Sequence, residues 1–214
     1  MTDKDLATRY QHVKSQVPEH VQLIAVSKYT DDQSVETLMA AGHRDFAEAK
    51  PQRLRDRALA YPENNWHMIG PLQKNKAKYV GRFAHMWHSM CDLEAAGAVS
   101  DAVENRILPV LVQVNISFEP QKQGVSPDDL DIFMKAASAL KNLQIIGLMG
   151  MAAHDGDARE AFQLLRQCRN ALLPSYPEAK HLCMGMSNDW RIAVEEGATM
   201  IRVGSEIFGE SSTA

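Results

Sequence analysis

The stretch Leu23-Ile24-Ala25-Val26-Ser27-Lys28-Tyr29-Thr30-Asp31-Asp32, with the segment from Gln33 to Ala41 that follows it, decides the fold. Its apolar first half, Leu23 to Ser27, is typical of a short buried β-strand. The polar residues after Lys28 indicate a turn, and the next segment has the apolar spacing of a helix. A strand, a turn and a helix in this order form the building block of parallel α/β proteins.

Seven further predicted strands follow along the chain, and a predicted helix follows each of them except the last. The predicted strands are Leu23 to Ser27, Asp45 to Glu48, Trp66 to Ile69, Met86 to Ser89, Pro109 to Asn115, Ile145 to Met149, His181 to Met184 and Met200 to Val203. The predicted helices are Gln33 to Ala41, Arg53 to Ala60, Gln73 to Val80, Leu93 to Val103, Pro127 to Leu140, Ala158 to Leu172 and Asp189 to Glu196, with an additional amphipathic helix at about Lys4 to Ser15.

Eight β/α units favour a single α/β domain over residues 1–214 that forms a closed (β/α)8 TIM-type barrel. An open, doubly wound sheet is the competing architecture. The sequence has no GxGxxG after the first strand and no GxxxxGK[ST], which are the nucleotide-binding signatures of open sheets. Gly42, Ser126-Pro127 and Pro174 stand where helices are expected to end or begin, in agreement with the alternation.

The composition is that of a soluble globular protein, with 214 residues, 45% hydrophobic residues and a formal charge of -4. Mild acidity argues against nonspecific binding to nucleic acid or to an anionic membrane. No secretory leader or transmembrane stretch is recognisable, so we expect a cytoplasmic protein. Three widely spaced cysteines without a CxxC pair indicate neither disulfides nor a zinc site, and we predict no metal.

Lys28 is the first candidate for chemistry. An amine at the carboxyl end of a buried strand is partly desolvated yet reachable from a cleft, and in this setting lysine can form a Schiff base. The alternative is an ordinary lysine whose stem packs while its ammonium group reaches water. In a (β/α)8 barrel the strand carboxyl ends form the active face, which favours the functional interpretation.

Two turns at other strand ends could bind an anion. The first is Met184-Gly185-Met186-Ser187-Asn188-Asp189, where backbone N–H groups and the Ser187 hydroxyl suit a phosphate, although Ser187 taken alone is more simply a helix N-cap. The second is Arg202-Val203-Gly204-Ser205. Barrels often hold phosphate between the loops after strands seven and eight. Arg202 could bind phosphate oxygens or a ring nitrogen, or form a structural ion pair.

Histidines contribute less to this prediction. His67 lies on the third predicted strand and is retained only as a candidate lining residue, since such a histidine is more often a satisfied core residue than a catalytic base. His85 and His88 are three residues apart on a predicted strand, so they face opposite sides and are poor co-ligands for a metal.

A lysine that can form a Schiff base, together with a phosphate-binding turn at the same barrel mouth, is what a binding site for pyridoxal 5'-phosphate (PLP) requires. The chain also resembles the pyridoxal phosphate homeostasis protein family, which consists of single-domain relatives of the alanine racemase N-terminal barrel. The motifs that carry the resemblance are Ala25-Val26-Ser27-Lys28, residues 66–76 from Trp66 to Lys76, Val114-Asn115-Ile116-Ser117 with Glu119, Lys122 and Gly124, Gly147-Leu148-Met149, Met184-Gly185-Met186-Ser187, and Ile201-Arg202-Val203-Gly204 with Ile207-Phe208-Gly209.

The resemblance implies a fold-type III-like PLP barrel in which Lys28 forms the Schiff base. It implies that Ser187, Arg202, Gly204 and Ser205 belong to the phosphate site, and Met186 lies in the same motif. One motif departs from the family. Where the family usually has Phe-Gly-Glu-Asn-Tyr, this chain has Phe46-Ala47-Glu48-Ala49-Lys50, so the asparagine beside the cofactor ring is replaced by Ala49.

The resemblance further implies a role in vitamin B6 balance rather than established catalysis. Racemases of this fold have a C-terminal β-domain and dimerise, whereas this chain ends at Ala214, so we expect neither that domain nor a dimer. Racemisation also needs acid–base groups on both faces of the substrate carbon, and the sequence shows no convincing second base. We expect exchange of PLP with PLP-dependent apoenzymes or free amino acids. The alternatives are a PLP-dependent amino-acid racemase and a Schiff-base aldolase.

Overall fold

The computed structural model describes residues 3–119 and 122–209, and the remaining residues of the predicted 1–214 domain lie outside this part. The strands are β1 Gln22–Val26, β2 Asp45–Glu48, β3 Asn65–Met68, β4 Met86–Met90, β5 Leu108–Val114, β6 Leu143–Gly150, β7 His181–Cys183 and β8 Met200–Val203. The helices are α1 Asp3–Gln16, α2 Asp32–Ala40, α3 Pro51–Ala60, α4 Ala77–Phe83, α5 Leu93–Ala102, α6 Leu130–Ala137, α7 Ala158–Leu172, α8 Trp190–Glu195 and α9 Ser205–Phe208.

The eight strands form a closed parallel barrel in sequence order. Closure is made by β8, which pairs with β1 over four residue pairs from Gln22↔Met200 to Ala25↔Val203. The predicted (β/α)8 barrel is therefore confirmed, and the open doubly wound sheet is wrong. Because all strands run in the same direction, their carboxyl ends meet at one face of the barrel, which we call the mouth.

Two apolar layers build the core, because successive side chains of a strand point to opposite faces. The larger layer lies between the strands and the surrounding helices and contains, for example, Phe46, Trp66 and Trp190. The smaller layer fills the barrel interior with Ile24, Ala47, Met86, Leu111, Met149, Cys183 and Met200. Helix α1 adds buried Leu6, Tyr10 and Val13 to the outer layer.

The predicted elements are present, with ends that differ by a few residues. Ser126 caps a short 3-10 turn, Pro127–Asp129, by accepting a hydrogen bond from Asp129 N, and this turn leads into α6. The expected N-cap at Ser126-Pro127 is therefore confirmed. One helix was not predicted: α9 begins directly after Gly204, where the sequence indicated only a small-residue turn.

Candidate functional site

Lys28 lies at the mouth, two residues beyond the end of β1. Thr30 N donates a hydrogen bond of 3.0 Å to Ser27 O, so residues 27–30 form a tight turn with Lys28 as its second residue. The Lys28 side chain is exposed, and its Nζ lies 4.9 Å from the centre of the Tyr29 ring. The amine is thus accessible on a backbone turn that is itself hydrogen-bonded.

The turn after β8 is the neighbour of the Lys28 turn. Since β1 pairs with β8, Gly204 follows the pair Ala25↔Val203 and lies against Val26. A Cβ atom placed on Gly204 would be 3.4 Å from the Val26 Cβ, which is close packing without overlap. The loops that carry Lys28 and Gly204 therefore meet at the same side of the mouth.

Ser187 joins the loop after β7 to the loop after β8. Its Oγ accepts hydrogen bonds from Gly204 N at 3.2 Å and from Glu206 N at 3.3 Å. Helix α8 begins after Asp189, so the simpler expectation that Ser187 caps this helix is wrong. A serine hydroxyl can cap any helix whose first N–H groups lie within reach. The N–H groups that Ser187 binds belong to the start of α9, which is distant in the sequence.

Two further predicted site residues, Met186 and Ser205, lie in these loops. The Met186 side chain is exposed, and its backbone N–H donates to Asp189 Oδ1 at 2.6 Å, so this donor is already engaged within its own loop. Ser205 is the exposed first residue of α9. The structure thus brings Met186, Ser187, Gly204 and Ser205 to one side of the mouth.

Arg202 is buried on β8, with 4% of its surface exposed. It lies close enough to His88 and Cys183 to act on the pKa values of both, which places its charge in the barrel interior. Among the described residues, no acceptor bonds to its side-chain Nε or Nη2. The alternative of a structural ion pair is therefore not realised within this part of the chain.

His67 belongs to a chain of polar side chains inside the barrel rather than to the mouth. Its Nδ1 lies 2.8 Å from His88 Nε2, and its Nε2 lies 3.3 Å from Oδ1 of Asp45, the first residue of β2. His88 Nδ1 in turn lies 3.3 Å from Cys183 Sγ. Both ring nitrogens of His67 are thus engaged, as in a satisfied core histidine, which the sequence favours over a catalytic base.

Burial shifts the pKa values of the polar side chains in the barrel interior. It lowers the pKa of His88 well below its usual value, so His88 is neutral. Burial also raises the pKa of the Cys183 thiol to about 11, against the opposite effect of Arg202. For Asp45, burial alone would raise the pKa, but hydrogen bonds from His67, Asn65 and Gln22 lower it to about 2. The series of polar side chains therefore ends in the Asp45 carboxylate, at the amino-terminal face of the barrel.

Ala47 and Ala49 occupy the positions where the sequence departs from the resembling family. Ala47 is fully buried in the barrel interior and its φ is not positive, so it needs none of the backbone freedom of glycine. Ala49 follows the end of β2 at the mouth, and a Cβ atom on Gly70 would be 2.1 Å from the Ala49 oxygen. Gly70 is therefore required by this close approach, whereas Ala49 presents no polar side chain to the mouth.

Residues 3–119 and 122–209 contain no group of three or more His, Cys, Asp or Glu side chains arranged to hold a metal ion. In the same ranges, no helix is both long and apolar enough to cross a membrane.

The fold and the mouth define a class of protein, the parallel (β/α)8 barrels in which a strand-end lysine lies beside facing small-residue turns and a buried arginine. Residues 3–212 match the family described as alanine racemase, N-terminal domain. A pyridoxal phosphate homeostasis protein from Vibrio alginolyticus is 35% identical over 213 residues, which cover 94% of this chain and 91% of the relative.

Two solved structures of PipY from Synechococcus elongatus PCC7942 are similar to the whole barrel. The structure without PLP has a TM-score of 0.89 at 34% identity, and the structure with PLP bound has a TM-score of 0.87 at 33% identity. Each comparison covers 95% of this chain and 100% of PipY. The chain belongs to the pyridoxal phosphate homeostasis protein family, within the alanine racemase N-terminal domain family.

Proposed function

We propose that this protein binds PLP at the mouth, covalently through Lys28, and takes part in intracellular vitamin B6 homeostasis. The observation that carries the proposal is the meeting of the Lys28 turn with the Ser187 and Gly204 loops above buried Arg202. The relatives support it, since one is named for PLP homeostasis and PipY was solved with PLP bound.

The side chains at the mouth fit this cofactor. Arg202 carries a permanent charge in the barrel interior and has two buried N–H-bearing atoms without an acceptor among the described residues. An unpartnered buried donor is unfavourable, so a bound molecule with acceptor atoms would relieve it. Lys28 offers the amine, and the turn around Ser187, Gly204 and Ser205 offers donors to an anion.

Each of these residues has one task in the proposed site. When bound, PLP supplies an aldehyde carbon for amines and an electron-withdrawing ring. Lys28 Nζ would hold that carbon, and Arg202 would orient the ring through its N–H groups. Ser187 Oγ accepts from the N–H groups of Gly204 and Glu206, so its own hydroxyl proton would be directed to the phosphate, beside Ser205 and with Met186 in the same loop.

We further propose that the protein carries PLP rather than catalysing a reaction with it. Racemisation requires a proton donor and a proton acceptor on opposite faces of the substrate carbon. His67, the histidine predicted to line the site, has both ring nitrogens engaged in the barrel interior. The proposed recipients are free amino acids or PLP-dependent apoenzymes, and the proposed unit is a single-domain monomer, which light scattering can test.

Absorbance spectroscopy and mass spectrometry test the cofactor proposal. The purified protein mixed with PLP should gain a visible absorbance band, and borohydride reduction should leave a pyridoxyl adduct on Lys28. Lys28→Ala should lose both signals. Lys50→Ala is the matched control, because Lys50 is an exposed lysine at the end of the neighbouring strand β2, and it should keep both. An unchanged band in Lys28→Ala would refute the assignment.

The same preparations distinguish the alternatives. An adduct on Lys28 excludes an aldolase that uses a bare lysine. PLP-dependent loss of optical activity from alanine or serine at enzyme-like turnover would instead establish a racemase, and would overturn the carrier proposal.

A further inference from the structure

The Lys28 turn is held from below by charged residues of β2 and α3. Ser27 is fully buried, and its Oγ donates a hydrogen bond of 2.7 Å to Glu48 Oε1. Its backbone N–H donates to Ala47 O at 3.0 Å. The residue immediately before Lys28 is thus fixed to β2 by both its backbone and its side chain.

The other end of the turn is fixed by two arginines of α3, one near its start and one in its last turn. Arg53 and Arg57 both donate through Nη2 to Thr30 O, the latter at 3.0 Å. A carbonyl oxygen has two lone pairs, and here a guanidinium occupies each of them. Thr30 also bonds back to Ser27 O through its N–H and its hydroxyl, so the four-residue turn is closed on itself.

Glu48 connects the two ends. Its second oxygen, Oε2, lies 3.3 Å from Arg53 Nε, so Arg53 contacts both Glu48 and Thr30. Glu48 has no exposed surface, and Arg57 is only 3% exposed. Arg57 Nη2 also lies 3.1 Å from Oδ1 of Asp32, the first residue of α2. This carboxylate balances the positive charge of Arg57. We name Glu48, Arg53 and Arg57 the clamp.

Buried ion pairs add little to stability over apolar packing, so their use here needs another reason. A buried carboxylate and a buried arginine cost desolvation free energy, yet Glu48 bonds to the Ser27 hydroxyl and the arginines bond to Thr30 O, on either side of one exposed lysine. Conformational specificity is the best-attested use of such groups. The turn is short and polar, and without these contacts its backbone could sample other turn conformations.

We infer that the clamp is a positioning device, in which Glu48, Arg53 and Arg57 hold residues 27–30 so that the Lys28 amine faces the neighbouring Gly204 and Ser187 loops. This inference rests on the proposed function for the identity of the ligand. Its structural half, that the clamp fixes the turn, is independent of any cofactor.

Arg53→Lys is the test variant. It keeps the positive charge, but an ammonium group cannot replace the guanidinium fork that contacts Glu48 and Thr30 together. Arg53 is 36% exposed, so the substitution leaves the core intact. Arg55→Lys on the same helix is the matched control, because Arg55 pairs with the adjacent Asp56 and does not contact the turn.

Hydrogen exchange in the cofactor-free protein tests the structural half. The Thr30 amide, which bonds to Ser27 O, should exchange at least fivefold faster in Arg53→Lys than in the parent protein, while Arg55→Lys should match the parent. Equal exchange in both variants would overturn the clamp, whatever the protein binds.

Two ligands test the positioning half. PLP attaches to Lys28, whereas pyridoxine 5'-phosphate has an alcohol in place of the aldehyde and can bind only noncovalently. If Arg53→Lys reduces the competent fraction of turn conformations to a tenth, the apparent dissociation constant for PLP attachment rises about tenfold. Affinity for pyridoxine 5'-phosphate should stay within twofold of the parent, because the phosphate loops are untouched.

The outcomes separate the two proposals. A parallel loss for both ligands, or unchanged PLP attachment despite faster exchange at Thr30, would overturn the positioning role. Failure of the parent protein itself to attach PLP at Lys28 would refute the proposed function and, with it, the positioning of Lys28 for PLP. Faster exchange at Thr30 would in that case still support the structural clamp.

Discussion

Replacement of Arg202 by methionine should stabilise the cofactor-free protein. Arg202 is 4% exposed and has two side-chain nitrogens, Nε and Nη2, without an acceptor among the described residues. An unsatisfied buried donor costs about 1–3 kcal/mol, so two of them cost about 2–6 kcal/mol. Methionine is unbranched and apolar, and it fills irregular space in cores. After allowance for imperfect packing, we expect a net stabilisation of about 2 kcal/mol, or about 4–8 °C in Tm for a chain of this size.

The same substitution should weaken the proposed cofactor site. A hydrogen bond to a charged group contributes about 1.5–3 kcal/mol, so loss of the guanidinium should reduce PLP affinity by about 10- to 100-fold. Stability and affinity therefore change in opposite directions in Arg202→Met. Urea denaturation and calorimetry of the cofactor-free protein measure the first, and absorbance titration measures the second.

Arg57→Met is the matched control for this experiment. Arg57 is as buried as Arg202, but it bonds to Thr30 O and pairs with Asp32. Asp32 is largely exposed, so the main loss is the donor to Thr30 O, and this variant should be destabilised by about 1–3 kcal/mol. Destabilisation of Arg202→Met by more than about 1 kcal/mol, with unchanged PLP affinity, would show that the arginine serves the fold and would refute the reasoning.

Two further predictions concern the ring contact and pH. Ala49→Asn should strengthen PLP attachment by about 2- to 10-fold through one restored neutral hydrogen bond, whereas Ala49→Leu, of similar volume, should not; equal affinities in a titration would contradict this. Burial lowers the pKa of His43 from 6.5 to about 4, so the unfolded chain binds the extra proton first and stability falls as pH decreases from 6.5 to 4. His43→Gln should remove about 2 kcal/mol of the stability lost between pH 7 and pH 4.5 in urea denaturation, leaving the part due to His88, and an unchanged pH dependence would disprove the role of His43.

The barrel could be predicted because its signal is repeated and local. Each strand is a short apolar run beside a turn, and each helix has its own spacing, so an error of one residue at an end does not alter the order of elements. The true ends depend on pairing across the sheet, as at β6, which extends to Leu143 because that residue pairs with Leu108. Helix α9 was missed because four residues after a glycine carry almost no periodic signal.

The place of the candidate site residues in the fold was predictable where it follows from a single strand end. Lys28, Ser187 and Arg202 lie next to strand ends, and in a parallel barrel all strand ends converge. The partners of Ser187 and the clamp were not predictable, because they depend on contacts between elements. In the sequence, Arg53 and Arg57 look like ordinary surface charges on a helix. Only the packing of α3 against the loop after β1 directs them toward Thr30.

The polar chain in the barrel interior explains why Arg202 has no acceptor beside it. The Asp45 carboxylate can only accept, so His67 must donate to it through Nε2. Burial lowers the pKa of His88, so His88 is neutral, and its two ring nitrogens, one a donor and one an acceptor, are used by His67 Nδ1 and the Cys183 sulfur.

The series of polar side chains ends at the amino-terminal face, where the negative charge of Asp45 lies. The ring nitrogens near Arg202 are all used, and the thiol offers it only a weak acceptor. The other polar side chains of the interior thus satisfy one another without the guanidinium, which leaves the Arg202 N–H groups for whatever binds at the mouth.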